Sequence, residues 1–355
     1  MKVRAYLTLL LSITLITAAC ITHNEQAAET SQFEKPVLTE VSEVQTTAPI
    51  KKTTTAPSIT PEPTVTPTLT PTPTATPTPT PTPTPSGLIG GKYDVFEYGE
   101  QPVQTETVYK SDQVSITVSV FNEHPYEQQK LVYFVADIYI QDISSLRTAA
   151  PYGFGKKGFE RITEIAKRNN AILAVNGDYP DYSKDIFVLR NGELFQQRTF
   201  HSRDVLFLYM DGSIEVFDGK SFQPKSVDLD RVWQGWQFGP YLIDEEGNPR
   251  TKFPAYDITG LNPRTVFGYY EPGHYCFVVV DGRNRKYSVG LSMQELAQLM
   301  VDLGCTQAYN MDGGASTQMY WNGDIYNHPS ENRPLSDIIY ICEPIGDGLL
   351  FNDSQ

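Results

Sequence analysis

Four short loops of this sequence carry polar side chains that packing does not require. Aspartates occur in the loops at 176–178 and 281–285, and an arginine occurs in the loop at 262–265. The fourth loop, at 310–317, contains an aspartate followed by glycine, alanine and serine. Aspartates suit acid–base or nucleophilic work, whereas an arginine presents a fork of N–H donors that matches an anion. Because each loop borders a predicted buried strand, we expect the four loops to converge on one crevice.

Apolar runs and turn signals predict the strands that position these loops. Asn191-Gly192 and Asp211-Gly212 are typical of hairpin turns. The predicted strands are 113–121, 131–142, 171–175, 187–190, 205–209, 214–217, 265–270, 274–280, 305–311, 318–321 and 337–341.

Two segments have helical periodicity. Apolar residues recur through 159–166, and Ser292 with Glu295 forms a capping box ahead of a helix that ends at Gly304. We therefore expect an α/β or α+β fold, a mixed β-sheet domain with at least two helices and an active site built from loops.

The loop motifs occur in a recognisable order. They are Asn-Gly-Asp-Tyr, Pro-Arg-Thr, Asp-Gly-Arg ahead of Gly-Leu-Ser-Met-Gln-Glu-Leu-Ala, and Asn-Met-Asp-Gly-Gly-Ala-Ser-Thr. Over about residues 132–342 the sequence resembles the phosphodiester glycosidase family. It departs from that pattern at Asp178 and Ala315, where the family more usually has glycine, and we expect these departures to alter substrate preference rather than the fold.

The resemblance implies hydrolysis of a sugar whose anomeric carbon is joined to a phosphodiester, with phosphate as the leaving group. Such cleavage creates an oxocarbenium-like centre that one carboxylate stabilises or attacks, while a second acid protonates the leaving oxygen or activates water. Asp312 and Asp281 are the predicted catalytic pair. Phosphate is a weak base, so neutralising its charge matters more than protonating it.

The same loops supply the predicted substrate-binding residues. Arg264, with Arg333 or Arg283, would hold the phosphate; a structural ion pair is the alternative for Arg264, and loop anchoring is the alternative for Arg333. Backbone N–H groups of Gly313 and Gly314 would approach the phosphate or a sugar oxygen. Asp178 is expected to place a carboxylate in the pocket, and Asn310 is expected to orient its loop. Ser316, Thr317 and Asn176 are expected to bind sugar hydroxyls.

No cofactor is predicted. The sequence lacks His-x-His and His-x-x-x-His spacing, while an oxygen-ligated cation such as calcium stays open because spacing does not test it. Cys276, Cys305 and Cys342 are expected to be buried thiols, with a Cys305–Cys342 disulfide as the alternative. The aromatic stretch 233–241 is expected to belong to the core rather than to form a sugar-stacking surface.

The N-terminal part predicts export and anchoring. Residues 1–20 have the layout of a lipoprotein signal peptide, with lipidation at Cys20; an ordinary cleaved signal is the alternative. Residues 21–86 include a Thr-Pro repeat, which predicts a disordered tether, and residues 87–355 form one catalytic domain. We therefore expect a protein held by lipid at the extracellular face of a bacterial cell membrane.

The charge of the chain narrows its partners. The formal net charge is −14 at pH 7, nearly all of it carried by residues 87–355, so nucleic acid is not an expected partner. The expected partner is a phosphorylated glycan or cell-envelope polysaccharide. Two other functions remain open: a noncatalytic cell-wall glycan-binding module, and a phosphodiesterase that cuts the P–O bond, which would usually require a metal cluster.

Overall fold

The computed structural model describes residues 94–126, 129–180, 186–198, 202–253 and 259–344. The chain divides into two units after Ala75, and all described residues lie in the second unit. The predicted signal peptide, Cys20 and the predicted tether lie outside the described residues. Neither described helix is long and apolar enough to cross a membrane.

Seventeen strands and two α-helices make up the described part. The helices are α1 (Ile162–Arg168) and α2 (Met293–Asp302). In chain order the strands are β1 (Val103–Gln104), β2 (Val108–Lys110), β3 (Val114–Tyr126), β4 (Gln129–Ile140), β5 (Leu146–Ala149), β6 (Leu173–Asn176), β7 (Phe187–Arg190), β8 (Glu193–Gln197), β9 (Val205–Tyr209), β10 (Ile214–Phe217), β11 (Val232–Gln237), β12 (Arg264–Glu271), β13 (His274–Val280), β14 (Gln307–Asn310), β15 (Met319–Trp321), β16 (Asp324–Ile325) and β17 (Ile338–Ile341).

The strands form three sheets. The first sheet has the order β1-β2-β3-β4-β13-β12-β14, the second β10-β9-β11-β7-β8, and the third β16-β15-β6-β17-β5. Every pairing among the described strands is antiparallel. This excludes a parallel α/β sheet and leaves the α+β alternative. The described sheets are antiparallel rather than mixed, both where a hairpin joins neighbouring strands, as in β3–β4, and where strands distant in the chain pair, as in β4–β13.

Local sequence signals account for helix α2. The Ser292 side chain accepts a hydrogen bond from the Glu295 N–H, and the Glu295 carboxylate accepts one from the Ser292 N–H, so the predicted capping box of α2 is confirmed. Gly304 follows α2 with φ +84°, a backbone conformation that suits glycine at a helix end. Helix α1 begins at Ile162 rather than Phe159; Phe159 is exposed and its ring lies beside that of Tyr179.

Most of the aromatic stretch 233–241 belongs to the core, as predicted. Trp233 and Trp236 are buried together with strands of the first and third sheets. The indole N–H of Trp233 donates to the carbonyl of Leu146 at 2.6 Å, which satisfies its polar atom inside the core. Phe238 differs, because it lines a cleft described below.

The three cysteines of the folded part are buried free thiols. Cys276 and Cys305 place their sulfur atoms 3.7 Å apart above Gly268, where a Cβ atom would lie 2.4 Å from the Cys276 sulfur. Cys305 therefore neighbours Cys276, and the alternative Cys305–Cys342 disulfide is not formed.

Candidate functional site

One cleft brings together residues from three of the four predicted loops. It has a volume of about 290 Å³, and we call it the arginine cleft. Its described lining consists of Arg203, Phe238, Gly239, Asn262, Arg264, Arg283, Met293, Asn310, Asp312, Gly313, Gly314, Ala315 and Arg333.

Sheet register explains this convergence. Strand β12 lies between β13 and β14 and runs antiparallel to both. Arg264 at the start of β12 pairs with Val280 at the end of β13, and Val266 pairs with Asn310 at the end of β14. The loops before β12 and after β13 and β14 therefore leave the first sheet at the same edge.

Asp312 is held in this cleft by the loop that follows β6. The Asn176 side-chain amide donates to the carbonyl of Asp312 at 2.6 Å, and the Asp312 N–H donates to the carbonyl of Gly177 at 3.2 Å. The Asn176 side-chain oxygen accepts from the Thr265 hydroxyl at 2.7 Å. Asn176 therefore links the third sheet to the edge of the first and fixes the backbone that carries Asp312.

The Asp312 carboxylate faces positive charge. It lies 3.7 Å from the Arg333 guanidinium, and 21% of its side chain is exposed. Burial raises the pKa of Asp312 above its usual range, while Arg333 and Arg203 oppose that rise by favouring the charged form. The result is a carboxylate that titrates at a higher pH than an exposed aspartate and remains attracted to its cationic neighbours.

Three of the four arginines in the lining were predicted from the sequence. Arg264 is buried, and it donates to the carbonyls of Leu291 at 3.0 Å and Gly260 at 2.6 Å. Arg283 is exposed and donates to the side-chain oxygen of Asn262. These contacts fix the position of each charge, so the guanidinium groups are pre-arranged at the cleft.

Arg203 is the functional candidate that sequence reasoning missed. Its guanidinium lies 4.5 Å from the centre of the Phe238 ring, a cation–π contact that holds it at the cleft. Arg203 precedes β9 outside any of the four motifs, so only its charge distinguished it in the sequence. Asn310 also belongs to the lining and donates to the carbonyl of Gly239 at 2.9 Å; its orienting role stays a prediction.

The glycine pair after Asp312 makes contacts within the protein. The Gly313 N–H lowers the pKa of the Asp312 carboxylate by hydrogen bonding, and the Gly314 N–H donates to the carbonyl of Pro263 at 3.0 Å. Contact of these N–H groups with a phosphate or a sugar oxygen stays a prediction. Gly314 has φ +64°, and a Cβ there would lie 2.8 Å from Arg283, so glycine at this position allows Arg283 to approach.

Asp281 does not belong to the described lining of the arginine cleft. Its carboxylate is buried and accepts hydrogen bonds from the Asn327 amide at 2.7 Å, the His328 N–H at 2.9 Å and the Tyr287 hydroxyl at 3.2 Å. Burial raises the pKa of Asp281, and these hydrogen bonds oppose the rise. Such contacts favour a structural role, and the catalytic role of Asp281 stays a prediction.

The predicted carboxylate of Asp178 also points away from the cleft. It is buried in an ion pair with Arg190 at 2.5 Å and accepts the Gln237 N–H at 3.1 Å. The neighbouring Asp337 has its pKa raised well above the usual range, first by burial and then by the charge of Asp178. Among the predicted hydroxyl-binding residues, Ser316 and Thr317 are buried within the 310–317 loop and do not belong to the described lining.

Within the described ranges, no group of three or more His, Cys, Asp or Glu side chains could hold a metal ion. The oxygen-ligated cation that the sequence left open is not predicted by either argument.

Residues 169–342 match the family model described as phosphodiester glycosidase. This matched segment belongs to the phosphodiester glycosidase family. All described residues that line the arginine cleft fall within the matched segment. The family assignment therefore covers the site as well as much of the fold.

Two curated proteins resemble parts of this chain at low sequence identity. The SPbeta prophage-derived uncharacterized protein YomE of Bacillus subtilis strain 168 is 24% identical over 203 residues, which cover 55% of this chain and 31% of YomE. The N-acetylglucosamine-1-phosphodiester alpha-N-acetylglucosaminidase of Bos taurus is 25% identical over 96 residues, covering 24% of this chain and 18% of the bovine protein. The chain thus matches less than a third of the length of these curated relatives.

A solved structure shows the same fold. The catalytic domain of zebrafish N-acetylglucosamine-1-phosphodiester alpha-N-acetylglucosaminidase, auto-inhibited by its pro-peptide, superposes with a TM-score of 0.55 and 16% identity. The match covers 73% of this chain and 87% of the zebrafish chain. At this identity the likeness concerns the fold.

Proposed function

We propose that this phosphodiester glycosidase domain hydrolyses a glycosyl-1-phosphodiester, releasing a sugar from a phosphate-linked glycan. The observation that carries the proposal is the charge of the arginine cleft, in which four arginines surround one carboxylate among the described lining residues. The chain as a whole is strongly acidic. A local excess of guanidinium groups in such a chain favours an anionic ligand, and it places a carboxylate beside that anion.

Asp312 is the proposed catalytic residue. As the anomeric C–O bond breaks, its electron pair moves to the phosphate oxygen, and positive charge develops on the sugar ring. The Asp312 carboxylate stabilises that charge, and water supplies the new oxygen on the anomeric carbon. The products are a reducing sugar and a phosphomonoester.

The arginines act on the other side of the breaking bond. A phosphomonoester carries more negative charge than the diester from which it forms, so interactions with Arg203, Arg264, Arg283 and Arg333 strengthen as the reaction proceeds. Catalysis depends on such differential binding. Because phosphate is a good leaving group, this arrangement does not require a second carboxyl acid, which agrees with the position of Asp281 outside the cleft.

The test is to incubate the full chain with a panel of sugar 1-phosphodiesters and to measure reducing sugar and phosphomonoester together. We expect both products in equal amounts, and we expect Asp312→Asn to lower kcat by about a hundredfold or more, with a melting temperature close to wild type. A sugar 1-phosphate as product would instead indicate P–O cleavage. Equal activity of Asp312→Asn and wild type would refute the role of Asp312.

A noncatalytic glycan-binding module is the second candidate. The observation that favours it is the single carboxylate in the described lining of the cleft, together with the enclosed position of Asp281. If this alternative holds, the panel gives no product, and Asp312→Asn changes only the affinity for the phosphodiester.

We also propose that the domain acts at the extracellular face of a bacterial membrane, anchored by lipid at Cys20 and extended by the Thr/Pro-rich segment. The sequence of residues 1–86 supports this location. The expected result is incorporation of labelled fatty acid into the full chain, and loss of that label in Cys20→Ala. Unchanged labelling in Cys20→Ala would contradict the anchor.

A further inference from the structure

Two short chain segments link the arginine cleft to a second cleft. Its volume is about 230 Å³, and Lys156 and Lys157 belong to its lining; we call it the lysine cleft. We propose that the lysine cleft binds the next phosphate-linked sugar unit of the same substrate, so that the preferred substrate is a glycan with repeated phosphodiester bonds. This inference rests on the proposed function of the arginine cleft.

The charge of the lysine cleft favours an anion. Both lysines are exposed, and neither forms an ion pair among the described residues. No acidic residue occurs in the described lining. In a chain with a formal net charge of −14, two neighbouring ammonium groups with no carboxylate among the described lining residues form a local positive site that attracts phosphate.

The shape of the lysine cleft favours a sugar beside that phosphate. Phe154 and Phe195 belong to the lining with their ring centres 5.3 Å apart, and both are half-buried. Val188 and Pro180 extend the apolar surface. The C–H groups of a sugar ring pack against such rings, while its hydroxyls remain in water. Aromatic surface next to cationic groups therefore matches one sugar–phosphate unit.

Two chain segments connect the clefts. Tyr179 lies with its ring 5.6 Å from the Arg333 guanidinium of the arginine cleft, and the next residue, Pro180, lines the lysine cleft. Ser336 also lines the lysine cleft. It follows Arg333 by three residues, which span at most about 10 Å even when extended. A substrate held at Arg333 can therefore extend into the lysine cleft through one further unit.

The experiment compares substrates of increasing length. The full chain is given synthetic hexose glycans with one, two or three phosphodiester bonds, and kcat/KM is measured from reducing-sugar release, with binding of each glycan measured by calorimetry. The test variant is Lys156→Gln/Lys157→Gln. The matched control is Lys220→Gln/Lys225→Gln, which removes two exposed lysines that line neither cleft.

We expect wild type and control to prefer the longest glycan over the shortest by about tenfold in kcat/KM, because two exposed charge contacts each contribute modestly. In Lys156→Gln/Lys157→Gln this preference should fall to about one, and Phe195→Ala should reduce it as well. Absence of any length preference in wild type, or an unchanged preference in the lysine variant, would overturn the proposal.

Failure of the proposed function gives a different result. If no glycan is cleaved, calorimetry still tests whether the lysine cleft binds a second phosphate-linked unit. Tighter binding of the longer glycans that is lost in the lysine variant supports the lysine cleft, and length-independent binding refutes it.

Discussion

Replacing Arg333 by glutamine should move the acid limb of the pH–rate profile to higher pH. The proposed reaction needs Asp312 as a carboxylate, so activity falls as the pH drops through its pKa. Burial already raises that pKa, and the positive charge of Arg333 lowers it. Without this charge, less of the burial effect is offset, and the pKa of Asp312 rises further. As the pH falls, activity is then lost at a higher pH than in wild type.

The size of this shift follows from the geometry. The Arg333 and Asp312 charges are 3.7 Å apart, and 38% of the Arg333 side chain is exposed. At the dielectric constant of water, which suits a partly exposed pair, the attraction is about 1.1 kcal/mol. A shift of one pKa unit corresponds to about 1.4 kcal/mol. The midpoint of the acid limb should therefore move to higher pH by about 0.8 pH units.

The assay is kcat/KM for a sugar 1-phosphodiester across the acid range, for wild type and Arg333→Gln. Arg231→Gln is the matched control, because Arg231 pairs with Asp211 at 3.3 Å outside the cleft and should not move the limb. An acid limb at the same pH in Arg333→Gln, or one shifted to lower pH, would refute the reasoning.

Three further predictions concern residues around the cleft. Gly314→Ala should lower the free energy of unfolding by about 1–2 kcal/mol, measured in urea, because φ is +64° and the new Cβ would meet Arg283; no loss would contradict this. Asp281→Asn should cost about 1–3 kcal/mol of stability by the same measurement, with kcat per folded molecule reduced less than tenfold; a larger loss would restore Asp281 as a catalytic residue. Tyr179→Ala should lower kcat/KM several-fold, because it removes the ring that contacts Arg333. Tyr179→Phe keeps that ring and should retain activity. Equal kcat/KM values for the alanine and phenylalanine variants would refute this prediction.

Elements with strong local signals were predictable from the sequence. Strands β9, β10 and β13 have the predicted bounds, and the capping box places the start of α2 correctly. Alternating apolar residues, Asn-Gly and Asp-Gly turns and the Ser292–Glu295 pair act over a few residues, so the chain needs no distant partner to express them. Strands β5 and β11 were missed, because Leu146–Ala149 and Val232–Gln237 lack clear alternation and are stabilised by pairing with distant strands.

The candidate site was predictable only in part, and for a similar reason. Asp312, Arg264 and Arg283 lie in ordered motifs, and the structure brings them to one cleft. Asp281 has an equally suggestive Asp-Gly-Arg motif, yet its carboxylate turns towards Asn327 and Tyr287. A motif indicates that a loop matters, but it does not indicate the direction of a side chain.

By itself, the sequence determined the resemblance to the family, the positions of many strands and of both helices, and the loops from which a site could form. These depend on residue order and on interactions between near neighbours. Only the tertiary structure decided that Arg203 joins the cleft, that Asp178 pairs with Arg190, and that all described strand pairs are antiparallel. Those outcomes depend on contacts between segments far apart in the chain, where packing and charge complementarity select among arrangements that are locally equivalent.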